Sequence, residues 1–314
     1  MGMNMLRTAI NPNRQPEGTP LKIVAVGEVL WDALPSGRRL GGAPANLCAM
    51  AGRLGDNALL ASRVGSDASG DEILKLLDTY PIDTSLVQRD MVLPTGTVTV
   101  SFNDDGQPAY RIREAVAWDA LELAPSWKEI AAKADAICFG TLAQRSALSK
   151  QTIQNLVSMC RPDCLRVFDM NLRYPFFSAD TIQWSLNHAS LLKVNAEELE
   201  IVLKMFGLTS HPSPDPEREG VEVIMTAFPL SLVCLTLGSR GSLIVSRSGY
   251  HRHSGLATQV VDTVGAGDAF LATVVNYALR NAPLDVMSEA ANRYGAWVAS
   301  HPAAIPDTPP PLPT

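Results

Sequence analysis

The chain has 314 residues, of which 46% are hydrophobic and 18% are charged. This composition is typical of a folded globular protein and excludes the class of disordered chains with low hydrophobicity and high charge. With 26 basic and 32 acidic residues, the formal net charge is −6, which argues against general nucleic-acid binding because that role usually needs a basic face. At roughly 150 residues per domain, the length allows one large domain or two small ones.

The five cysteines form no CxxC pair, and the C-x₃-C pair of Cys160 and Cys164 lacks a second pair to complete a zinc site. We expect buried, reduced thiols and a reducing compartment. His251 and His253 have no third ligand nearby in sequence and do not predict a metal site. No apolar run reaches the ~18 residues that span a membrane, and Met1–Pro20 lacks the apolar core of a secretory signal. These features predict a cytoplasmic protein.

Short apolar runs alternate with helical patterns from residue 21 onward. The first predicted elements are strand Leu21–Gly27, helix Asn46–Leu54, strand Ala58–Ser62 and helix Asp71–Leu77. The pattern then changes, because Gly96–Phe102 and Ala109–Arg113 alternate strictly on either side of an Asn-Asp-Asp-Gly segment. That arrangement predicts a β-hairpin.

The strand–helix alternation resumes after the hairpin. The predicted elements are strand Ala134–Gly140, helix Lys150–Cys160, strand Leu165–Asp169, helix Ala179–Ala189, strand Ser190–Val194, helices Ala196–Phe206 and Gly220–Phe228, strands Ser231–Leu237, Ser242–Val245 and Tyr250–His253, and helices Ala266–Leu279 and Leu284–Ser300. This order predicts one doubly wound α/β domain with a mostly parallel sheet, with a TIM barrel as the alternative. The hairpin does not fit a parallel core, so we interpret it as part of a small β lid over a crevice.

The segment Val260–Phe270 carries the strongest chemical signal. A β-like run reaches Asp262, two glycines permit a tight turn, and a helix begins. The N–H groups of a helix N-terminus bind anions. Asp268 would repel a bound phosphate, but its position suits a carboxylate that takes a proton from a hydroxyl attacking phosphorus. The alternative is an aspartate that caps an ordinary turn.

The glycine pair in Gly41–Asn46 exposes backbone N–H groups at a predicted helix start. Asp32 and Asn46 could grip vicinal hydroxyls there, as a carboxylate acceptor and an amide. The alternative interpretation of the two glycines is a flexible turn with no binding role.

Two further segments lie at predicted strand ends. Asn195 and Glu198 form either a capping box or a pair near Mg²⁺ and its waters. Thr236–Gly241 is either a β-turn or a loop that passes beneath a nucleotide. The chain contains no GxxxxGK[ST], GxSxG or HExxH, so the P-loop, hydrolase-elbow and zincin classes have no support.

Together these segments resemble the ribokinase-like (PfkB) carbohydrate kinases, and within them the fructokinases. The resemblance spans about Leu21 to Pro306. The strings that carry it are GEVLWD at Gly27–Asp32, GGAPAN at Gly41–Asn46, DMNLR at Asp169–Arg173, NAEE at Asn195–Glu198 and DTVGAGDAF at Asp262–Phe270. It implies an ATP-dependent kinase that phosphorylates a primary hydroxyl of a monosaccharide, most simply D-fructose to fructose 6-phosphate. The alternatives are 2-keto-3-deoxygluconate, ribose, a nucleoside or a sugar phosphate as acceptor, or a non-catalytic sugar or nucleotide sensor.

The resemblance also implies roles for single residues. Asp268 is expected to be the catalytic base beside an anion hole built from the amides of Gly265, Ala266 and Gly267. The expected sugar-binding residues are Asp32, Gly42, Asn46, Arg113 and Arg173. The expected residues on the ATP and Mg²⁺ side are Asn195, Glu198, Thr236, Gly238, Gly241 and Asn292, with Glu198 reaching Mg²⁺ through water. Asp262 matches a position that in some members helps to hold a monovalent cation such as K⁺.

The expected domain organisation is a disordered tail over residues 1–20, a kinase domain over residues 21–306 and a proline-rich tail over residues 307–314. The β lid is expected from about residues 29–40 and 95–116. The expected partners are a small-molecule sugar and ATP, with no nucleic acid and no membrane, and the chain is expected to be a monomer or a homodimer formed through the lid. Ala303 stands where relatives often have glycine, and Ala115–Leu121 departs from the usual fructokinase sequence.

Overall fold

The computed structural model describes residues 19–34, 37–102, 108–209 and 213–308, with the backbone alone for residues 100–102 and 108–110. The predicted N-terminal tail, except for residues 19 and 20, lies outside these ranges. So do residues 309–314 of the predicted C-terminal tail and the Asn-Asp-Asp-Gly segment of the hairpin.

Within the described residues, thirteen strands form two sheets. In chain order the strands are β1 (Lys22–Val26), β2 (Leu30–Leu34), β3 (Gly37–Gly41), β4 (Asn57–Gly65), β5 (Val87–Asp90), β6 (Gly96–Phe102), β7 (Pro108–Ile112), β8 (Ala136–Gly140), β9 (Leu165–Asp169), β10 (Leu191–Asn195), β11 (Leu232–Thr236), β12 (Ser242–Ser246) and β13 (Gly249–His253). The α-helices are α1 (Ala43–Arg53), α2 (Ala68–Leu77), α3 (Pro125–Ala131), α4 (Ala147–Ser158), α5 (Ala179–His188), α6 (Ala196–Met205), α7 (Pro216–Ala227), α8 (Ala266–Leu279) and α9 (Leu284–Ala299).

The large sheet has the order β13-β12-β11-β10-β9-β8-β1-β4-β5. Its neighbouring strands are parallel except for the antiparallel pairs β11–β12 and β12–β13. Strands such as β1 and β11 read as nearly continuous apolar runs because helices cover both faces of the sheet, and the core forms one apolar cluster on each face. The sheet is open at both ends, which confirms the doubly wound α/β prediction and excludes the barrel.

The small sheet has the order β3-β2-β6-β7, and we call it the lid. The β6–β7 pair confirms the predicted hairpin strands, with Val98 opposite Ile112. Strand β2 pairs in parallel with β6 and antiparallel with β3. The residues that follow β1 therefore leave the large sheet, build half of the lid, and return at the start of α1.

The β-like run at Val260 and Val261 is not a strand, which corrects the sequence-based interpretation. Both side chains are more than half exposed, and the N–H groups of Val261 and Asp262 donate to the carbonyl oxygen of Ala299 at the end of α9. The run has the β-branched composition of a strand but pairs with no strand among the described residues. Strand β5 and helix α3 were not predicted.

No helix among the described residues is long and apolar enough to cross a membrane. The five cysteines are free thiols, four of them buried and Cys160 half-buried, as the sequence predicted.

Candidate active site

Four polar residues mark the carboxyl edge of the large sheet. Asp169, Asn195 and Thr236 are the last residues of β9, β10 and β11, and Glu28 lies two residues after β1. Parallel strands end at the same edge, and ligands of open α/β sheets bind there. Helices α1 and α8 begin at this edge, so their N–H groups face the same crevice.

Helix α8 begins directly after Gly265, which has φ 82° and adopts the left-handed conformation. A Cβ atom at Gly265 would lie 2.6 Å from the carbonyl oxygen of Ala304, so the turn requires glycine. The N–H group of Ala266 is 3.3 Å from the carbonyl oxygen of Thr263, whereas those of Gly265 and Gly267 have no acceptor among the described residues. These two N–H groups and the positive end of the helix dipole form a site suited to an anion.

Asp268 lies in the first turn of α8 and is 9% exposed. Its Oδ2 accepts a 2.8 Å hydrogen bond from Nδ2 of Asn46 on α1. The other side-chain atom of that amide, Oδ1 of Asn46, is buried and has no partner among the described residues. One hydrogen bond therefore joins the glycine-initiated helix α1, where the sequence predicted sugar binding, to the predicted base.

The pKa of Asp268 is raised from 3.8 to about 6, first by burial and second by the charge of the nearby Asp169 carboxylate. The ammonium of Lys193, the Asn46 hydrogen bond and the charge of Arg173 act in the opposite direction. A carboxylate with this pKa is ionised at neutral pH and is more basic than an exposed aspartate.

Lys193 lies beneath the start of α8, in the middle of the apolar strand β10. Its Nζ is 3.0 Å from Oδ1 of Asp169 on β9, and both side chains are at most 10% exposed. A Cβ atom at Gly267 would lie 3.2 Å from the same Nζ. Burial lowers the pKa of Lys193, but the carboxylates of Asp169, Glu198 and Asp268 outweigh it and raise the pKa overall. Lys193 is therefore a fixed positive charge under the anion site.

Asn195 and Glu198 form the capping box that the sequence offered as one of two interpretations. Oδ1 of Asn195 accepts from the N–H of Glu198, and Oε2 of Glu198 accepts from the N–H of Asn195, both at 2.9 Å. Oε1 of Glu198 accepts from the N–H of Leu172, also at 2.9 Å. Burial raises the pKa of Glu198, and Lys193 opposes that shift. The cap orients the carboxylate without excluding a further contact, because each oxygen has a second lone pair.

Asp32 and Arg173 lie close enough for their charges to interact. Asp32 is on β2 of the lid, and burial raises its pKa to about 6, against the opposing charge of Arg173. The same guanidinium lowers the pKa of Glu28 and Asp268, although burial still raises that of Glu28 to about 7. Arg173 is exposed and follows β9, so its charge acts on three carboxyl groups around the space that the sequence predicted for the sugar.

Gly42 and Arg113 complete the predicted sugar side. Gly42 is the N-cap of α1 with φ 109°, and a Cβ atom there would lie 2.5 Å from the carbonyl oxygen of Glu28. Arg113 follows β7 with an exposed side chain, and its carbonyl oxygen accepts from Nη2 of Arg145 at 2.6 Å. Among the described residues, neither Arg113 nor Arg173 makes an ion pair.

Asp262 contacts the lid. Its Oδ2 is 3.0 Å from Nη1 of Arg39 on β3, and its Oδ1 accepts from the N–H of Val264 at 3.0 Å. Each carboxylate oxygen thus has one hydrogen-bond partner, and the expected role of Asp262 near a monovalent cation stays a prediction.

The predicted nucleotide-side residues lie at the far end of the same edge. Thr236 is opposite Asn195 in the parallel pairing of β10 and β11. Gly241, with φ 86°, packs its backbone against residues 253–255, where no Cβ atom fits. Nδ2 of Asn292 on α9 donates to Oγ of Ser242 on β12 at 2.7 Å. Gly238 begins the short exposed turn between β11 and β12.

A sequence model of the pfkB family of carbohydrate kinases matches residues 28–310. The chain belongs to that family. It is therefore a carbohydrate kinase, a phosphotransferase that acts on sugar hydroxyls, and the resemblance deduced from the motifs is confirmed.

Relatives of this PfkB kinase carry several names. A fructokinase from Escherichia coli is 26% identical over 265 residues, covering 80% of this chain and 82% of that protein. An ATP-dependent 6-phosphofructokinase from Thermoanaerobacterium thermosaccharolyticum is 24% identical over 304 residues, covering 91% and 90%. The crystal structure of an uncharacterized sugar kinase from Pyrococcus horikoshii in complex with ATP has a TM-score of 0.77 and 25% identity, covering 92% of this chain and 95% of that one.

The sequence analysis of this PfkB kinase assigned no role to three buried charges: Lys193, its partner Asp169, and Glu28. The available signal was a lysine within the apolar run Leu191–Val194, because a buried lysine needs an acidic partner. The partner could not be named from the sequence, since Lys193 and Asp169 become neighbours only through the pairing of β9 with β10. The lid contact of Arg39 with Asp262 joins positions 223 residues apart and left no local signal.

Proposed function

We propose that this chain transfers a phosphoryl group from ATP to a primary hydroxyl of a monosaccharide, with D-fructose as acceptor and fructose 6-phosphate as product. The observation that carries this proposal is the hydrogen bond between Asn46 and Asp268. It holds a basic carboxylate at a helix N-terminus, so that a proton acceptor and anion-binding N–H groups serve one reacting centre. The relative named fructokinase supports D-fructose among the sugars.

In the proposed reaction Asp268 accepts the proton of the attacking hydroxyl. Phosphoryl transfer passes in line through a loose transition state, so the protein mainly positions the reactants and stabilises charge. The pKa of about 6 keeps Asp268 ionised at neutral pH while leaving it basic enough to receive the proton. Asn46 fixes the carboxylate oxygen that faces α1.

The charge that develops on the transferred group meets fixed positive dipoles. The N–H groups of Gly265 and Gly267 and the N-terminus of α8 are oriented before the reaction begins, so no reorganisation is needed. The ammonium of Lys193, packed beneath Gly267, adds a buried positive charge that its carboxylate neighbours keep protonated.

The donor set suits Mg²⁺ bound through water and ATP phosphates. The carboxylates of Asp169 and Glu198 and the amide of Asn195 are hard oxygen ligands at the sheet edge, and each keeps lone pairs free. No group of three or more His, Cys, Asp or Glu side chains in the described ranges forms a metal cage. Bound Mg²⁺ supplies charge neutralisation on the phosphates.

The acceptor is recognised from the lid side in this proposal. Asp32 accepts hydrogen bonds from sugar hydroxyls, and its raised pKa reflects a carboxylate that the crevice already removes partly from water. An anionic acceptor is the second candidate, because Arg113 and Arg173 carry charges with no ion-pair partner among the described residues. The 6-phosphofructokinase relative points in the same direction.

The test measures ADP release with ATP and Mg²⁺ across free hexoses, ribose, nucleosides, sugar acids and sugar phosphates. We expect D-fructose to give the highest kcat/KM, and product analysis to place the phosphate on the 6-hydroxyl. Turnover restricted to sugar phosphates or sugar acids would select the anionic candidate instead. No turnover with any member of the panel would point to a sensor.

Asp32→Asn serves as the matched variant in that assay. Loss of a carboxylate that accepts hydrogen bonds from sugar hydroxyls should raise the KM for the sugar by about tenfold or more and leave the KM for ATP within about twofold. An equal rise in both constants would contradict a role for Asp32 in sugar binding.

A further inference from the structure

Arg145 lies in the body between β8 and α4, and its side chain is 7% exposed. Nε and Nη2 of its guanidinium donate to Oδ1 and Oδ2 of Asp119, both at 2.8 Å. Nη2 also donates to the carbonyl oxygen of Arg113 at 2.6 Å. Paired contacts of a guanidinium with a carboxylate are charge-assisted and directional, so they hold the side chain and its partners in one orientation.

The two partners of Arg145 are the ends of one segment, residues 113–119, which we call the return segment. It carries the chain from lid strand β7 back to the body. Inside it, the N–H of Val116 donates to Oδ2 of Asp119 at 3.1 Å, and Ala115 has φ 53°, a left-handed conformation that residues other than glycine rarely adopt. Such a conformation persists only where surrounding contacts impose it. Arg145 supplies contacts of this kind at both ends of the segment.

Aromatic rings pack on the same guanidinium. Cζ of Arg145 lies 3.9 Å from the ring centre of Trp118 and 4.7 Å from that of Phe176. Trp118 belongs to the return segment and is fully buried, and Phe176 is half-buried. Because these rings keep water away from the guanidinium, its hydrogen bonds to Asp119 and to the return segment are stronger than those of an exposed arginine.

We propose that Arg145 is a positioning residue for the acceptor, because it fixes the return segment and so sets where the Arg113 side chain meets the acceptor. The inference rests on the proposed function, which takes Arg113 as an acceptor-binding residue. Arg145 is itself buried and acts through Arg113, whose side chain is exposed and has no ion-pair partner among the described residues. Fixing the backbone that carries a long side chain reduces the entropy that is lost when the ligand binds.

Steady-state kinetics of Arg145→Met test the inference, with ATP, Mg²⁺ and whichever compound of the acceptor panel gives the highest kcat/KM. We expect the KM for the acceptor to rise by about tenfold and the KM for ATP to stay within about twofold. An unchanged acceptor KM, or equal rises in both constants, would overturn the inference. Because the panel selects the acceptor, a failure of D-fructose counts against the proposed function alone.

A double variant shows whether Arg145 acts through Arg113. Arg113→Gln removes the side chain that is positioned, so the acceptor KM of the double variant should lie within about threefold of that of Arg113→Gln alone. Independent effects would multiply instead, to a rise of roughly a hundredfold for two tenfold changes. That result would mean that Arg145 does not act through Arg113.

Arg145→Lys keeps a cation beside Asp119 and serves as the second variant if Arg145→Met does not fold. A lysine ammonium cannot make the paired contact with Asp119 and also reach the carbonyl oxygen of Arg113, so the acceptor KM should again rise by about tenfold. An acceptor KM equal to that of the unmodified chain would show that charge alone is enough, and the positioning role would be refuted.

Ser149→Ala is the matched control for a purely structural effect. Oγ of Ser149 on α4 donates to the carbonyl oxygen of Trp118 at 2.7 Å and accepts from the N–H of Leu121 at 2.9 Å. Its loss should lower the urea midpoint of unfolding but leave the acceptor KM within about twofold. A rise in acceptor KM equal to that of Arg145→Met would mean that any loosening next to the return segment has the same effect, contrary to the proposal.

Hydrogen exchange followed by mass spectrometry gives a readout that needs no acceptor. In Arg145→Met the amides of residues 113–119 should exchange faster by about tenfold or more, whereas those of β12 in the large sheet should keep their rates. Unchanged exchange over residues 113–119 would overturn the inference, even if no compound of the panel were phosphorylated.

Discussion

The two sides of the crevice are built in different ways. On the body side, at the carboxyl edge of the large sheet, Asp268, Lys193 and Asp169 are buried and have fixed partners, Asp268 with Asn46 and Lys193 with Asp169. Arg173, at the same edge, is exposed. On the lid side, charged groups are more exposed, and their contacts are surface ion pairs such as Arg39 with Asp262. Buried partners hold one geometry, whereas exposed pairs exchange readily with water.

This difference indicates a division of labour. The groups proposed to act on the phosphoryl transfer are held by the packed body, where low dielectric strengthens each charge. Asp32, which is proposed to bind the acceptor, lies on the four-stranded lid, whose Trp31 and Leu40 pack into the core of the body. Substitutions on the body side should therefore change stability or turnover by large amounts. Substitutions on the lid should change the KM for the sugar by smaller amounts.

The largest effect is expected from Lys193→Met, which leaves the Asp169 carboxylate buried without its cation. Removal of one partner of a buried ion pair destabilises proteins by about 3–5 kcal/mol. Urea denaturation followed by circular dichroism measures the change. Lys75→Met, at an exposed position on α2, is the matched control and should change stability by less than about 0.5 kcal/mol. Similar unfolding midpoints for the two variants would break the contrast between body and surface.

Asp268→Asn should reduce kcat by at least ~10²-fold, because an amide cannot accept the hydroxyl proton. The substitution preserves side-chain size, so ATP binding, measured by calorimetry, should stay within about threefold of the unmodified chain. Near-normal turnover in this variant would remove Asp268 as the base and, with it, the argument that the body side carries the chemistry.

The pH dependence follows from the raised pKa of Asp268. The base acts when deprotonated, so kcat/KM should rise about tenfold per pH unit below pH 6 and level off above it. The folded-state pKa lies above the ordinary value of 3.8, so the stability contributed by this group is full below about pH 4 and is lost as the pH rises through about 6. Activity and this stability contribution therefore change in opposite directions over the same interval.

Glu28→Gln tests which carboxyl group sets that profile. Burial raises the pKa of Glu28 to about 7, so a profile governed by Glu28 would lose its break in the variant. A profile governed by Asp268 should keep a break near pH 6. Loss of the break would assign the titration to Glu28.

The smallest effect is expected on the lid, from Arg39→Gln. The guanidinium is almost half exposed, so loss of its pair with Asp262 should cost less than about 1 kcal/mol in unfolding experiments. Because the pair ties the lid to the loop before α8, the KM for the sugar should rise by about threefold with little change in kcat.

Arg38→Gln is the control for that prediction. The neighbouring arginine has the same exposure but pairs with Glu72 on α2, away from that loop. Equal sugar KM values in the two variants would mean that the pair of Arg39 with Asp262 has no special part in acceptor binding.

Much of the fold was readable from the sequence because its elements follow strong periodic patterns. The predicted bounds of β9 and α8 agree with the structure, and most other strands and helices were placed within a few residues. The prediction was wrong where the residue type favours one structure and the position in the fold imposes another. Val260 and Val261 have the residue type of a strand, but the fold leaves them exposed in a loop.

In the candidate site, too, some features could be predicted from the sequence and others could not. Local motifs pointed to the glycine turn before Asp268, the start of α1, and the capping box of Asn195 with Glu198, because each is encoded within a few consecutive residues. The contacts among these motifs could not be predicted, since they depend on how distant elements pack. Asn46 and Asp268 are 222 residues apart along the chain and meet because α1 lies against α8.

The sequence by itself determined the α/β class, the order of the elements and the family, since periodicity, turn residues and motif spacing are local properties of the chain. The tertiary structure alone decided that Lys193 is a buried cation under the anion site and that Arg39 engages Asp262. Charged groups acquire their chemistry from desolvation and from the groups that packing places beside them, and neither is written in residue order.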